Sequence, residues 1–99
     1  MSDEIEKLKN HITNSKYRML TQQDDGTWEA RSPLSSFEMS WKIFNFLNLR
    51  DKGADNLKFH KALQKRGLID VNWVSGLTDE LLEKLCTDAI EASESPEIF

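Results

Sequence analysis

The chain has 99 residues, of which 38% are hydrophobic and 30% are charged, and its formal net charge is −4. This length predicts one domain with a modest core, and the composition excludes wholesale disorder. Because the sequence has no apolar run of the roughly 20 residues that a membrane span requires, and because its N-terminus is acidic, we expect a cytoplasmic protein with no membrane partner.

The first predicted element is a helix over residues 3–14. Ser2 can cap this helix, and acidic residues in its first turn suit the positive end of the helix dipole. Ile5, Leu8 and Ile12 fall on one side of it. Because a stripe of three apolar residues predicts weak docking or pairing with a second copy, we expect this helix to move.

A β-hairpin is predicted next. Two short runs, residues 16–20 and 27–31, flank a polar segment that contains Asp25 and Gly26, a pair typical of hairpin turns. Because two strands alone are marginal in water, the hairpin must lie on the helices or gain a strand from elsewhere. We expect Trp28 to be held inward, and the alternative is an open sheet edge that serves as a docking site.

The most apolar segment follows, and it predicts a helix over residues 36–49. Ser35 and Glu38 match a capping box, and the length of the segment favours a helix over a strand. On a helical wheel, the broad inward side consists of Phe37, Trp41, Ile43, Phe44 and Leu47. Met39 and Phe46 point roughly the opposite way, which predicts either a central helix or a protein-binding face at these two residues.

A short helix is predicted over residues 56–66. Asp55 or Asn56 is a plausible cap, and Gly67 is a typical residue after a helix end. The outward side carries three basic residues at three- and four-residue spacing, namely Lys58, Lys61 and Lys65.

The last predicted helix covers residues 79–92 and is preceded by a connector in which we expect Trp73 to be buried. Thr78 is the predicted cap, and Cys86 lies on the apolar face, where core packing is the better interpretation than a reactive thiol. The solvent-facing side is predicted to carry Glu80, Glu83, Asp88 and Glu91.

The predicted fold class is mainly α, a small four- to five-helix bundle with an N-terminal helix and one β-hairpin. We expect a single globular domain over residues 1–92, in which residues 1–34 form the first helix and the hairpin and residues 35–92 form the helical core. Residues 93–99 contain Pro96 and several polar residues, and they predict a disordered tail.

Hydrophobic and capping residues recur with a defined spacing in the second half of the chain. They are Ile43, Phe46, Leu47, Ile69, Asp70, Trp73, Val74, Leu77, Thr78, Asp79, Glu80 and residues 82–85. Over about residues 37–86 this spacing resembles that of the sterile alpha motif, a five-helix bundle. The resemblance implies a role in self-association or adaptor binding.

The sequence lacks the patterns of catalytic and metal sites. His11, His60 and Cys86 are too few for a classical zinc site, and neither a glycine-rich phosphate loop nor a Gly-x-Ser-x-Gly motif is present. The carboxylates of the last helix lie on a solvated face, where acid–base work is not favoured. We therefore expect no enzyme, no cofactor, no metal and no small-molecule substrate.

Charge is unevenly distributed along the chain. Residues 1–40 carry five basic and seven acidic side chains, residues 41–76 carry seven and three, and residues 77–99 carry one and seven. Such a protein presents a positive and a negative surface at different places, which attract a second copy or a partner at long range. The alternative is that these charges only solvate the domain.

These patterns predict a non-catalytic protein–protein interaction module, namely an adaptor, inhibitor or assembly factor. Its partner is another protein or a second copy, so a homo-oligomer is allowed. The expected binding residues are Met39, Phe46, Lys58, Lys61, Lys65, Glu80, Glu83 and Glu91. The alternative is a nucleic-acid-binding protein that contacts phosphates through the basic helix 56–66. It is less favoured because the following helix is strongly acidic.

Overall fold

The computed structural model describes residues 2–14, 19–30, 35–67, 69 and 76–99. In this part of the chain the architecture is mainly helical, with four α-helices and one two-stranded antiparallel hairpin, as the sequence predicts. The elements in chain order are α1 Ser2–Thr13, β1 Leu20–Gln22, β2 Trp28–Ala30, α2 Ser36–Phe46, α3 Asn56–Lys65, α4 Asp79–Ser93 and a 3-10 turn at Pro96–Ile98.

The three later helices begin directly after a capping residue that the sequence predicts. A cap side chain accepts a hydrogen bond from a free backbone N–H group of the first turn, which stabilises the helix start. The bonds join Ser35 Oγ to the N–H of Glu38 at 3.1 Å, Asp55 Oδ1 to the N–H of Lys58 at 3.0 Å, and Thr78 Oγ1 to the N–H of Leu81 at 3.2 Å. These starts are therefore fixed by local chemistry.

The end of α2 comes three residues earlier than predicted. Asn48 adopts a left-handed φ of 58°, and its N–H group donates to the carbonyl of Asn45 at 3.1 Å. The N–H group of Leu49 donates to the carbonyl of Phe44 at 3.2 Å. This pair of bonds forms a Schellman motif, which satisfies the last helical carbonyls. Leu49, predicted as the last helical residue, instead turns into the core and is fully buried.

The face of α2 that packs inward also differs from the prediction. The buried residues recur at intervals of three and four, and they are Ser36, Met39, Ser40, Ile43 and Phe44. Met39 has no exposed surface, so its assignment to a free protein-binding face is corrected. Phe37, expected inside, leaves 43% of its surface exposed. The prediction failed because serines occupy two inward positions, which a count of hydrophobic residues assigns to the outside.

The helices share one core. α1 packs against α4 and α2, and α3 packs against both α2 and α4. Leu8 and Ile12 of α1 are fully buried, so its thin apolar stripe is inserted into this core. The start of α1 lies beside the end of α4, since Glu4 and Glu94 line the same groove. The radius of gyration of 12.5 Å agrees with the value of about 13 Å for a compact domain of 100 residues.

The hairpin is joined to the start of α4. Its strands pair with Leu20 opposite Ala30. Trp28 exchanges two backbone hydrogen bonds with Leu77, of 2.7 and 2.9 Å, and its Nε1–H group donates to Asp79 Oδ1 at 3.0 Å. The residues before α4 thus supply the support that two strands need, and Trp28 is half-buried against the core.

The residues after α4 are folded onto the body, which corrects the expectation of a disordered tail over residues 93–99. The 3-10 turn packs against α3 and α4, and the Ile98 side chain has no exposed surface. The carbonyl of Ile98 accepts a hydrogen bond of 2.7 Å from the N–H group of Asp55, the cap of α3. One buried isoleucine and this bond outweigh the polar composition on which the prediction rested.

Some predicted features lie outside the described residues. These are the outer parts of the predicted strands, residues 16–18 and 31, and the connector over residues 71–74, which includes the predicted burial of Trp73. The mobility of α1 also stays a prediction.

Replacing Ile98 by Ala is expected to lower the free energy of unfolding by about 2–5 kcal/mol, because the change leaves a cavity against α3 and α4. Urea denaturation followed by circular dichroism measures it. The matched control is Phe99→Ala at the next position, where 49% of the residue's surface is exposed and the expected loss is below about 1 kcal/mol. Equally small losses for both variants would contradict the docking of this segment.

Candidate functional site

An open groove lies between the first turns of α2 and α3, and we call it the aromatic groove. Its volume is about 440 Å³, and the residues that line it are Ser35, Phe37, Glu38, Trp41 and Asn56. Both helices are capped directly at this point, so the groove walls belong to regular, hydrogen-bonded backbone.

One wall of the aromatic groove is an exposed aromatic side chain. Phe37 is 43% exposed, and Leu57, which follows a groove residue in α3, is 51% exposed. Leu57 follows the groove residue Asn56 in the sequence, but it does not line the groove. An aromatic side chain left in water, such as Phe37, marks a surface that gains free energy when it is covered.

The aromatic walls of the groove are held in place by neighbouring groups. The Trp41 ring stacks on Phe44 with centroids 6.1 Å apart, and the Arg50 guanidinium lies 5.3 Å from the Trp41 centroid. Cation–π attraction of this kind fixes the indole plane at a partly exposed site. The Phe37 ring meets the His60 ring edge-on at 5.1 Å, an arrangement that aromatic pairs prefer.

A buried polar pair beneath the groove connects α2 to α3. Ser40 Oγ lies 2.7 Å from His60 Nδ1 and 3.2 Å from the carbonyl of Ser36. Burial lowers the pKa of His60, which therefore stays neutral near pH 7. Although a serine–histidine contact also occurs in nucleophilic sites, Ser40 has no exposed surface and no substrate can reach its hydroxyl. We interpret the pair as the support that positions Phe37.

One buried polar atom at the start of α3 lacks a partner among the described residues. Asn56 Oδ1 is buried and finds no hydrogen-bond donor among the described residues. Its neighbour Asp55 uses its own carboxylate to cap α3. Buried acceptors are nearly always paired in folded proteins, so this amide oxygen stands out as a position where a donor would be stabilising.

The predicted basic residues do point outward from α3, but the C-terminal turn engages several of them. Lys58 Nζ donates to the main-chain oxygen of Phe99 at 2.8 Å, and Glu97 pairs with Lys65 at 3.4 Å and with Arg66 at 3.0 Å. Hydrogen bonding from Arg66, aided by Lys65, lowers the pKa of Glu97. The groove along this surface, of about 240 Å³, is lined by Lys58, Lys61, Ala62, Lys65 and Glu97. The basic surface is therefore partly neutralised within the chain.

The predicted acidic residues lie on an open side of α4. Glu80, Glu83 and Glu91 are all exposed. Asp88, predicted on the same side, is instead buried and pairs with Lys84 at 3.0 Å. Glu91 continues into a groove of about 290 Å³ between α4 and the start of α1, lined by Glu4, Ile5, Thr87, Ile90, Glu91 and Glu94. The acidic surface thus extends from one helix to the next, which the sequence pattern did not indicate.

Phe46 is separated from Met39. It is 40% exposed and its ring stacks on His11 of α1 at 4.1 Å, so it belongs to the junction of α1 and α2. Burial, with Lys42 nearby, lowers the pKa of His11. The two residues predicted as one apolar binding face therefore lie in different places, one in the core and one at a helix junction.

Other site types are not found in the part of the chain that the structure describes. No group of three or more His, Cys, Asp or Glu residues there is arranged to hold a metal ion. None of the described helices combines the length and the apolar character that crossing a membrane demands.

The aromatic groove was not predicted from the sequence, because the helical wheel places Phe37 and Trp41 on the inward side of α2. No signal within this segment indicates the groove, because the cap at Ser35 fixes where α2 begins but not which side of α2 faces the core. Once Ser36 and Ser40 are allowed in the core, the inward stripe turns Phe37 outward.

Comparison with known proteins gives no relative for this chain. No protein-family model, no curated protein and no solved structure matches it. The resemblance to the sterile alpha motif therefore stays a prediction, and the function must be argued from the surfaces themselves.

Replacing Ser40 by Ala is expected to lower the free energy of unfolding by roughly 1–3 kcal/mol, because it leaves His60 Nδ1 buried without its partner. Ser93→Ala, which removes a hydroxyl bonded to a backbone carbonyl at the end of α4, serves as control and should cost roughly 0.5 kcal/mol. Urea denaturation measures both variants. A Ser40→Ala protein as stable as the wild type would contradict the supporting role of the pair.

Cys86 is fully buried, as predicted, and burial raises the pKa of its thiol to about 12. The folded protein should therefore resist a disulfide-exchange reagent at pH 8 and react on unfolding. Between pH 9.0, the ordinary pKa of a thiol, and pH about 12, the unfolded chain loses a proton that the folded chain keeps. The free energy of unfolding should therefore fall as the pH rises through this range. The Cys86→Ala variant should not show this loss of stability. Rapid labelling of the folded wild type would contradict the burial of the thiol.

Proposed function

We propose that this protein is a non-catalytic interaction module that binds a partner protein through the aromatic groove. The observation that carries the proposal is the exposed Phe37 side chain, which lines an open groove with ordered walls. Binding energy in protein interfaces concentrates where a few large side chains enter a desolvated pocket backed by rigid structure. An adaptor, an inhibitor and an assembly factor all use such a surface.

The occupant that we propose is a segment of another protein that presents an apolar anchor side chain together with basic groups. The anchor enters the aromatic groove, where it covers Phe37 and contacts Trp41. The basic groups are favoured by charge complementarity, because the acidic surface of α4 has no comparable intramolecular counter-charge among the described residues apart from the Lys84 pair with Asp88. Such a field speeds encounter more than it tightens binding.

The charge pattern favours a foreign partner over a second copy. Head-to-tail assembly would set the basic surface of one copy against the acidic surface of the next. In this structure Glu97 and the main-chain oxygen of Phe99 already engage Lys58 and Lys65, and a second copy would have to compete with them. A nucleic acid bound through α3 would also compete with Glu97 and Phe99 for these lysines. Nucleic-acid binding is therefore the second candidate function.

The resemblance to the sterile alpha motif supports a binding role in the same general class. The predicted cytoplasmic location also remains part of this proposal, and the partner should be sought in that compartment.

Peptides selected from a random library on the immobilised protein test the proposal. Because Phe37 forms one wall of the groove, Phe37→Ala is expected to weaken the selected peptides at least about tenfold, equivalent to roughly 1.4 kcal/mol. Phe46→Ala is the matched control, since it lies on the same helix and is 40% exposed but lines another groove. It should change the dissociation constant by less than about twofold. Isothermal titration calorimetry measures each variant.

The peptide experiment and two further measurements separate the alternatives. Peptides that bind both variants as well as the wild type would contradict the aromatic groove as the binding surface. Concentration-dependent light scattering that Phe37→Ala abolishes would show that the occupant is a second copy. A mobility shift with mixed DNA and RNA that Lys61→Glu abolishes would instead favour the nucleic-acid function.

A further inference from the structure

We infer that the surface of α3 beneath residues 95–99 is a binding site for a segment of a partner protein in which a carboxylate lies beside an aliphatic side chain, and that residues 95–99 occupy this site as an intramolecular competitor. Its lining residues differ from those of the aromatic groove, so the inference goes beyond the proposed function and does not rest on it. It joins three observations, namely the contacts of residues 95–99, the small buried surface that holds them and the cationic groove that they leave open.

The contacts of residues 95–99 show which chemistry this surface accepts. The Ile98 side chain has no exposed surface, and its carbonyl accepts a hydrogen bond of 2.7 Å from the N–H group of Asp55. The Glu97 carboxylate, one residue earlier, lies 3.0 Å from the Arg66 guanidinium. A buried anchor, a backbone hydrogen bond and a paired charge are contacts by which folded domains bind peptide segments. The surface is therefore shaped for an acidic residue followed by an aliphatic one.

Little buried surface holds residues 95–99 in place. Ile98 is buried, whereas Pro96, Glu97 and Phe99 are exposed. The Lys65 side chain that pairs with Glu97 is 75% exposed, and ion pairs in solvent contribute little to stability. Detachment would expose one isoleucine and break one backbone hydrogen bond to the start of α3, while the packing among α1, α2, α3 and α4 stays intact. Segments held in this way open locally, so the surface is free in a minor population of molecules.

Residues 95–99 use only part of the basic surface. The groove of about 240 Å³ beside them is lined by Lys58, Lys61, Ala62, Lys65 and Glu97, so three ammonium groups face one carboxylate, a net charge of +2. Lys61 forms no ion pair within the part of the chain that the structure describes. A segment with a second acidic residue can therefore pair with Lys61 and also repeat every contact that residues 95–99 make.

These contacts favour a foreign protein segment over the other polyanions. Phosphates of a nucleic acid would pair with the lysines, but they would leave the pocket of Ile98 empty and the N–H group of Asp55 without its acceptor. Exchange of residues 95–99 between two copies would reproduce the same bonds and gain none. An acidic–aliphatic segment of a partner protein replaces each lost contact and adds one at Lys61.

A fluorescein-labelled peptide with the sequence of residues 93–99 tests the site in the full-length protein. The apparent affinity of a ligand rises with the fraction of molecules in the open state, so Ile98→Ala should bind the peptide at least about tenfold more tightly than the wild type. Glu97→Lys, an exposed change that leaves the core intact, should bind it at least about threefold more tightly. Phe99→Ala is the control and should match the wild type. Fluorescence anisotropy measures the affinities, and equal values for all four proteins would overturn the inference.

Charge reversal tests how the segment is recognised. In the Ile98→Ala protein, the further change Arg66→Glu should weaken the peptide about fivefold, and a peptide with lysine at the position of Glu97 should restore the affinity. Lys52→Glu, an exposed change in the loop before α3, is the control for net charge and should alter the affinity by less than about twofold. An equal loss for Arg66→Glu and Lys52→Glu, or no restoration by the lysine peptide, would overturn the inference.

Peptides selected from a random library on the immobilised Ile98→Ala protein test the proposed occupant. They should carry an acidic residue beside an aliphatic one and at least one further acidic residue. Lys61→Gln should weaken them roughly threefold and leave the urea midpoint unchanged, since Lys61 takes no part in holding residues 95–99. Selected peptides without the acidic–aliphatic pair, or unaffected by Lys61→Gln, would overturn the inference.

Two further results would assign the site to another occupant and overturn the inference. The first is a dimer that sedimentation detects in a mixture of the Glu97→Lys and Arg66→Glu proteins but in neither alone, because only exchange between copies then matches the charges. The second is a mixed-sequence DNA that binds the Ile98→Ala protein more tightly than the selected peptides do. Phe37→Ala should leave peptide binding to this site unchanged, so the outcome is independent of the aromatic groove.

Discussion

Packing of the inner face of α2 is the constraint on which the rest of the structure depends. Met39, Ile43 and Phe44 fill the core, and Ser40 bonds to His60 at 2.7 Å, which sets α2 against α3. Because a helix is rigid about its axis, burying these residues turns Phe37 outward at a fixed angle. The exposed groove and the buried core are thus two consequences of one rotation.

The residues at which the helices begin could be predicted from the sequence, but which side of α2 faces the core could not. Ser35, Asp55 and Thr78 act on the backbone three residues away, so they leave a local signal that a single sequence contains. Which side of α2 faces the core depends on the residues that pack against it. Ser40 becomes a core residue only because His60, twenty positions later, offers it a partner. The aromatic groove exists because Phe37 lies on the outward side of α2, and it was not predicted for the same reason.

Charge along the chain gave a partial guide to charge on the surface. The glutamates of α4 remain open to solvent, whereas Asp88 is buried, and α1 adds Glu4 to the acidic surface. The basic residues of α3 are partly engaged by Glu97, which is close in space but more than thirty positions distant in sequence. Residues 93–99, whose composition predicts a disordered tail, therefore reduce the basic charge on the surface of α3. The buried Ile98 holds these residues in place.

The bridge between Trp28 and Leu77 has a consequence for how the protein opens. Its two backbone hydrogen bonds, with the indole bond to Asp79, tie the hairpin to the residues that begin α4. If the hairpin detaches, Leu77 loses its partner next to the cap, and the first turn of α4 loses its anchorage. Native-state hydrogen exchange should therefore report the hairpin amides and the first turn of α4 as one cooperative unit. Detachment of the hairpin destabilises the start of α4, although the two are distant in the sequence.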